Sequence, residues 1–188
     1  IKIFEFEKKT ADISRIAIGM ATGNNSEYVR QWYEVNHKGI SFLCPSREVS
    51  QSLNQKWYPY AKGGRFRRWY GNFESVVNWQ HDGYALQNTY TEDGSRVRAH
   101  NFNLDRIFNK GLCWTVIGAG LPSFRFVPQG FLFDAAAGVC QTYKEADLSI
   151  LLGLLNTKIT HKVLQLINPT LNLHPGYLGS VPYNDGNY

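Results

Sequence analysis

Leu148, Leu151, Leu152, Leu155, Ile159, Val163 and Leu166 recur at three- and four-residue intervals, and Pro169 ends the run. That spacing places the apolar side chains on one face of an α-helix, and such a face must be covered. A proline cannot continue a helix, because it lacks the N–H and its ring clashes with the preceding turn. Thr142 and Glu145 stand at capping-box spacing ahead of the stripe. The sequence therefore predicts one long C-terminal helix from about Thr142 to Asn168, with its stripe in the core. The most apolar stretch, Leu148 to Leu155, is interrupted by Ser149 and Gly153 and is far too short to span a bilayer.

The rest of the chain reads as short strands and short helices. Ile13 to Ile18 is strand-like and is followed by the turn Gly19-Met20-Ala21-Thr22-Gly23. Asn25 or Ser26 can cap a helix whose apolar positions are Tyr28, Trp32 and Val35. Ile40 to Cys44 reads as a strand closed by Pro45, and Ser75 to Trp79 as another. Gln80-His81-Asp82-Gly83 has turn chemistry. Asn103 is placed to cap a helix over Leu104 to Phe108, ended by Gly111. Two further strands, Cys113 to Ile117 and Phe124 to Val127, lead through Pro128-Gln129-Gly130 into Phe131 to Asp134. Strands broken by helices without regular βαβ alternation predict an α+β fold: a twisted mixed or antiparallel sheet, short helices and the long C-terminal helix. At 188 residues, 1–188 is expected to form a single domain with a real core.

Charge gives the first indication of function. The net charge is +5, and aromatics make up 14% of residues against 19% charged, so this is not a disordered basic tail. Between Lys56 and Phe73, five basic residues (Lys56, Lys62, Arg65, Arg67, Arg68) are interleaved with seven aromatics (Trp57, Tyr58, Tyr60, Phe66, Trp69, Tyr70, Phe73), and the window holds no carboxylate. Cations neutralise phosphates, while aromatic faces and guanidinium forks engage bases. Gly63 and Gly64 allow a sharp turn or a close backbone approach. Two readings are open: a nucleic-acid surface, or a solvated basic loop anchored by core aromatics. Of the aromatics, Trp57, Trp69 and Trp79 read as core, whereas Tyr60 and Phe66 flank the glycines. Cys44, Cys113 and Cys140 form no close pair, which argues against a disulfide framework and a zinc cluster and for a reducing, cytoplasmic setting. No signal peptide is legible in IKIFEFEKK, and the absence of an initiator Met suggests a fragment of a longer polypeptide.

Catalytic signatures fail in turn. No Gly-Lys step exists, so a P-loop is excluded. Gly118-Ala119-Gly120 begins like a dinucleotide fingerprint, but Ser123 replaces the third glycine and a turn is the better reading. Glu7-Lys8-Lys9 matches half of a nuclease motif, but Glu5 is the acidic residue upstream of it and no metal-binding Asp partner precedes it. The histidines (His37, His81, His100, His161, His174) lack ligand spacing. The chain does not read as a complete enzyme.

Four segments resemble one known family in one order: GMATGNNSEYVRQWYEV (Gly19 to Val35), KWYPYAKGGRFRRWYGN (Lys56 to Asn72), VVNWQHDG (Val76 to Gly83) and LLGLLNTKITHKVLQLINPTLN (Leu151 to Asn172). They resemble the C-terminal target-recognition region of the large adenine-specific DNA methyltransferases of BREX phage-defence systems. More distantly they are similar to specificity domains of Taq-type adenine methyltransferases and of type I restriction systems. The resemblance covers about Asp12 to Tyr183 and implies a target-recognition-domain-like fold. Such enzymes transfer a methyl group from S-adenosylmethionine to N6 of a flipped adenine. Their Asn-Pro-Pro-Tyr-like motif and glycine-rich cofactor loop are missing here, since Asn168-Pro169-Thr170 is no substitute. The implied role is recognition of double-stranded DNA, with the catalytic domain in cis, S-adenosylmethionine bound by the parent alone, and other defence-system subunits as further partners.

In this reading Lys56, Lys62 and some of Arg65, Arg67 and Arg68 clamp phosphates, and one or two of the arginines reach guanine O6 and N7. Arg96, Arg98 and His100 form a second basic cluster, with Arg30 and Lys38 as weaker candidates. Thr22 lies in the glycine turn, and Asn24 and Asn25 follow it, where the asparagines either read an adenine edge or cap the helix. Three alternatives stand beside this: a protein-interaction module for an acidic partner, the specificity part of a fused restriction endonuclease-methyltransferase, and an autonomous hydrolase or nuclease.

Overall fold

The computed structural model describes residues 8–118, 120–168 and 170–183. In chain order its strands are β1 (Ser14–Ile18), β2 (Val29–Gln31), β3 (Trp57–Ala61), β4 (Ser75–Asn78), β5 (Gly111–Thr115), β6 (Phe124–Val127), β7 (Leu132–Phe133) and β8 (Ala137–Thr142). The helices are α1 (Thr10–Ile13), α2 (Asn25–Tyr28), α3 (Arg47–Ser52), α4 (Gln80–Asn88), α5 (Ala146–Leu155), α6 (Lys158–Ile167) and α7 (Pro175–Gly179). The fold is mixed α+β, with two four-stranded sheets ordered β1-β8-β5-β6 and β2-β4-β3-β7.

The first sheet is antiparallel throughout, and its two faces follow from the two-residue period of a strand. Ile16, Cys140, Leu112, Trp114 and Phe124 share one face and pack against Leu148, Leu151 and Leu155 of α5 and Leu164 of α6. Ala17, Val139, Cys113 and Val127 share the other and join Ala61, Phe131 and Phe133. β5 is consequently buried on both sides, and a residue with no side chain is needed beside its tryptophan. Gly138 pairs directly with Trp114, and a Cβ there would lie 2.0 Å from the indole. The Trp114 Nε1–H donates to the Leu173 carbonyl at 2.9 Å.

The second sheet is mixed, because β7 runs parallel to β3 while β2 and β4 are antiparallel. β3 carries Pro59, which argues against a central strand on sequence grounds. The proline is accommodated because β3 changes partners there: residues 57 to 59 pair with β4, and Tyr60 and Ala61 pair with β7. Tyr58, Tyr60, Val77, Trp79, Phe108 and Leu132 form the core of this half.

Several expectations are corrected. The single long helix is two ten-residue helices, and Thr142 ends β8 instead of capping a helix. The break lies at Asn156, whose buried amide behaves like a strand partner of β6. It accepts from Phe124 N (3.1 Å) and donates to the carbonyls of Phe124 (2.9 Å) and Leu152 (3.1 Å). Thr157 is extended, and its hydroxyl accepts from Thr160 N at 3.1 Å, restarting the helix as an N-cap. The restart shifts the phase of the stripe. Ile159 (61% exposed) and Leu166 (66%) face solvent, while His161, Val163 and Leu164 are buried. Pro169 lies outside the described residues.

The helix expected through Val35 is a single turn, α2, after which the β-branched Val29 opens β2 and pairs with Val77. Ile40 to Cys44 is one bridge to Trp57 followed by a turn, and Leu104 to Phe108 is a run of turns entered and left by the positive-φ residues Asn103 and Phe108. Gln80-His81-Asp82-Gly83 does form the expected turn, with His81, Asp82 and Gly83 all left-handed at the start of α4. Among the described residues no helix is long and apolar enough to cross a membrane.

Candidate nucleic-acid interface

The basic-aromatic segment does not stay together in space. Lys56 precedes β3 and Lys62 follows it, so about 17 Å of strand separates them. Lys56 lies over the Trp57 ring (5.3 Å to the centroid), as does Arg30 at 5.9 Å, and Arg30 also donates to the carbonyls of Ser26 and Val29. Lys56 and Arg30 thus form a separate cation–aromatic cluster at the far end of the strand. Lys38 is exposed on a 3-10 turn after Asn36.

The loop of residues 62–74 crosses from the mixed sheet to the free edge of β6. Gly63 is buried at its root, where a Cβ would lie 2.7 Å from the Ala136 carbonyl oxygen. Gly64 follows at φ +131° and its carbonyl accepts from Thr115 Oγ1 at 3.1 Å. The far limb is fastened by backbone bonds, with Trp69 N donating to Phe124 O (3.0 Å) and Phe126 N to Trp69 O (2.9 Å). Trp69 adopts φ 75° to make both, an uncommon conformation for a bulky residue that these two bonds hold in place. Asn72 Nδ2 closes the loop on Arg65 O at 3.0 Å.

Beneath the loop lies Arg125, a residue that composition-based reading passed over. It is wholly buried, and its Nη1 is 3.3 to 3.5 Å from Ser123 O, Ser123 Oγ and Arg67 O. Ser123 Oγ in turn accepts from Arg67 N at 3.2 Å. The available signal was its parity: in the strand Phe124–Val127, Arg125 shares a face with Val127 and so points inward.

The loop residues divide sharply. Arg65 and Arg67 are exposed, Phe66 is 59% exposed, and the Arg68 guanidinium lies 5.3 Å over the Phe66 ring. Among the described residues no ion pair engages Arg65, Arg67, Arg68, Arg96 or Arg98. Lys62 differs, since its Nζ is 3.3 Å from the buried Asp134 carboxylate. Tyr60 is fully buried, its hydroxyl donates to Met20 O at 2.7 Å, and burial raises its pKa well above the ordinary value, with the Asp134 charge adding to the effect. Tyr60 is therefore core, because β3 is covered on both sides, and Trp69, expected in the core, is 53% exposed. Trp79 is in the core as expected.

The second cluster is assembled from distant segments. His100 bridges Ala21, and Arg98 Nη2 reaches the Gly23 carbonyl at 3.4 Å, so the Thr22–Asn25 turn lies against Arg98. The turn is organised internally. Thr22 Oγ1 donates to Asn25 Oδ1 (2.8 Å), while Asn24 accepts from Ser26 Oγ (2.7 Å) and donates to Glu27 (3.1 Å). Asn24 occupies the N-cap position of α2 without a side-chain cap bond. Both clusters connect through one chain of contacts: Ala21 follows Met20, which bridges Asp134, the partner of Lys62.

The His81-Asp82 pair serves structure, since Asp82 takes bidentate bonds from Arg47 (3.0 and 2.6 Å). Among the described residues no group of three or more His, Cys, Asp or Glu side chains could hold a metal ion. The three thiols are free and buried, and burial pushes Cys140 up to about 11. The arrangement can bind anions and planar groups through exposed cations and aromatics on a fastened loop.

Comparison with known proteins now gives this surface a context. Over 164 residues (87% of this chain), the sequence is 36% identical to the adenine-specific methyltransferase PglX of Lacticaseibacillus casei (strain Zhang). Over 99% of the chain it is 32% identical to the adenine-specific methyltransferase BrxX of Escherichia coli O9:H4 (strain HS). The chain is homologous to a segment of these two proteins. It spans only 14% of the length of each. No protein-family model matches it.

Proposed function

We propose that this chain is a single recognition module for double-stranded DNA, serving an adenine-N6 DNA methyltransferase of BREX-type phage defence. The observation that carries the DNA part is the loop itself: Arg65, Phe66, Arg67 and Arg68 are presented without a neutralising carboxylate on a backbone fastened to β6. The two methyltransferase relatives support the parent activity. In this reading Arg65 and Arg67 contact the duplex first, with Arg96, Arg98 and the Thr22–Asn25 turn as a second contact. The catalytic lobe and S-adenosylmethionine belong to the parent polypeptide and act on an adenine that this module helps to position.

The test is anisotropy binding of a random duplex pool across about 50 to 200 mM salt, followed by selection of the retained sequences. Each neutralised phosphate makes log affinity fall by about 0.9 per unit of log salt, or about threefold to fourfold over that range. Four contacts therefore give a slope of about −3.6, and selection yields a preferred site. Affinity that is flat in salt, or a retained pool with no preferred sequence, refutes the proposal.

A further inference from the structure

Arg65, Arg67 and Arg68 share one loop and carry no carboxylate partner among the described residues, yet the fold does not hold them alike. Arg68 is turned inward. Its guanidinium lies over Phe66 and its Nε is buried. Its charge reaches α6, where burial and then Arg68 hold the His161 pKa below the ordinary value. Arg65 is exposed and follows the two glycines, and its carbonyl is tied by Asn72. Its side chain makes no hydrogen bond among the described residues.

Arg67 is fixed at three points. Its N–H donates to Ser123 Oγ at 3.2 Å, its carbonyl lies 3.5 Å from Nη1 of the buried Arg125, and its side chain lies across Gly71. A Cβ on Gly71 would stand 2.4 Å from Arg67 Cδ, 2.9 Å from Nη1 and 3.3 Å from Nε. The arginine stem and one edge of its fork therefore occupy the space that a side chain at 71 would fill. Gly71 is buried at φ +120°, a conformation that residues with a Cβ rarely adopt. Arg67 is nonetheless exposed, and among the described residues its guanidinium donors have no hydrogen-bond partner. It is an anchored fork with free N–H groups.

Anchoring matters differently to the two contacts that an arginine makes with DNA. A phosphate is met by charge, and a mobile side chain adapts to it. Reading a base requires the flat fork in one orientation, with two N–H groups aimed at two acceptors in the base plane. A long side chain loses rotamer freedom on making that contact unless the fold has already restricted it. We infer that Arg67 is the base reader of the loop, held over Gly71 to present its fork to guanine O6 and N7, and that Arg65 contacts phosphate. The inference rests on the DNA reading above and divides roles which that reading left shared between the two arginines.

The experiment selects the preferred sequence from a random duplex pool with the unaltered protein. Anisotropy then compares affinity for that duplex with affinity for duplexes in which each guanine is replaced in turn. Arg67→Lys keeps the charge and loses the fork, so the salt slope should hold while preference at one guanine falls by about fivefold to a hundredfold. Arg65→Ala should do the opposite, flattening the slope by about 0.9 with the preferred sequence retained. Gly71→Ala, which displaces the Arg67 stem, should relax the same guanine although Arg67 is present. Arg67→Lys is a surface change and stays informative if Gly71→Ala fails to fold. Loss of folding alone weakens all duplexes alike and does not relax one base pair. Preference retained at every guanine in Arg67→Lys, or lost in Arg65→Ala instead, overturns the assignment while leaving duplex recognition intact. Failure of the unaltered protein to bind any duplex refutes the DNA reading and the assignment with it.

Discussion

Lys62 looks like a phosphate clamp in the sequence, and the structure turns that expectation around. Its Nζ is 3.3 Å from Asp134 Oδ2, and the two side chains are 30% and 7% exposed. The other carboxylate oxygen accepts from Ala136 N at 2.7 Å. Lys62→Ala would leave a nearly buried carboxylate without its counter-charge. Fully buried pairs cost about 3–5 kcal/mol when one partner is removed, and a hydrogen bond to a charged group contributes about 1.5–3 kcal/mol. Because water reaches Lys62, the expected loss is near the lower figure, about 2 kcal/mol, or roughly 4–8 °C in Tm for a chain of this size. DNA affinity should keep its salt slope, since the lysine charge is already compensated. Asp134→Asn should do the reverse, freeing the ammonium and steepening the slope by about 0.9. The double variant should recover part of the stability lost in Lys62→Ala, as expected for directly coupled groups. Urea or thermal unfolding together with salt-dependent anisotropy checks both halves. A Lys62→Ala protein with unchanged Tm and a slope shallower by about 0.9 would refute the reasoning.

The remaining predictions concern the loop, the helix break and the buried histidine. Arg65→Ala and Arg67→Ala should each either flatten the salt slope by about 0.9 for all sequences or relax preference at one base pair by about 1–3 kcal/mol, and selection from a duplex pool distinguishes the two. If even the double variant changes neither slope nor preference, the loop is not the reader. Asn156→Ala removes three hydrogen bonds at once, two of them buried, and should destabilise by about 2–3 kcal/mol in urea unfolding, with an effect on duplex binding only through folding. His161 has a folded-state pKa below the ordinary value of 6.5, so the fold favours the neutral ring. Its contribution is complete above about 6.5 and is lost as pH falls from there through the depressed value. Tm should therefore decline over that window, and His161→Gln should flatten this part of the profile.

What was legible in the sequence follows from how local each signal is. β6 was readable because Phe124 to Val127 alternates between two proline-marked turns, and β4 because the β-branched Val76 and Val77 stand at its centre. β3 was obscured by Pro59, whose tolerance depends on a change of strand partner that no local rule contains. The C-terminal stripe misled for a related reason. Its spacing continues through Asn156-Thr157 as if uninterrupted, yet the capping chemistry of Thr157 and the bonding of Asn156 to β6 outweigh the periodicity. The interruption turns His161, instead of Ile159, towards the interior. The same limit governs the candidate site. Type and order identified the exposed arginines of the loop, but compensation is a property of pairs distant in the chain. Lys62 is neutralised by a residue 72 positions away, and Arg67 is held by Arg125, 58 positions away. A basic segment read from sequence therefore overstates its free charge by the carboxylates that the fold brings to it. The loop cations left over, Arg65, Arg67 and Arg68, are those on which a functional argument can rest.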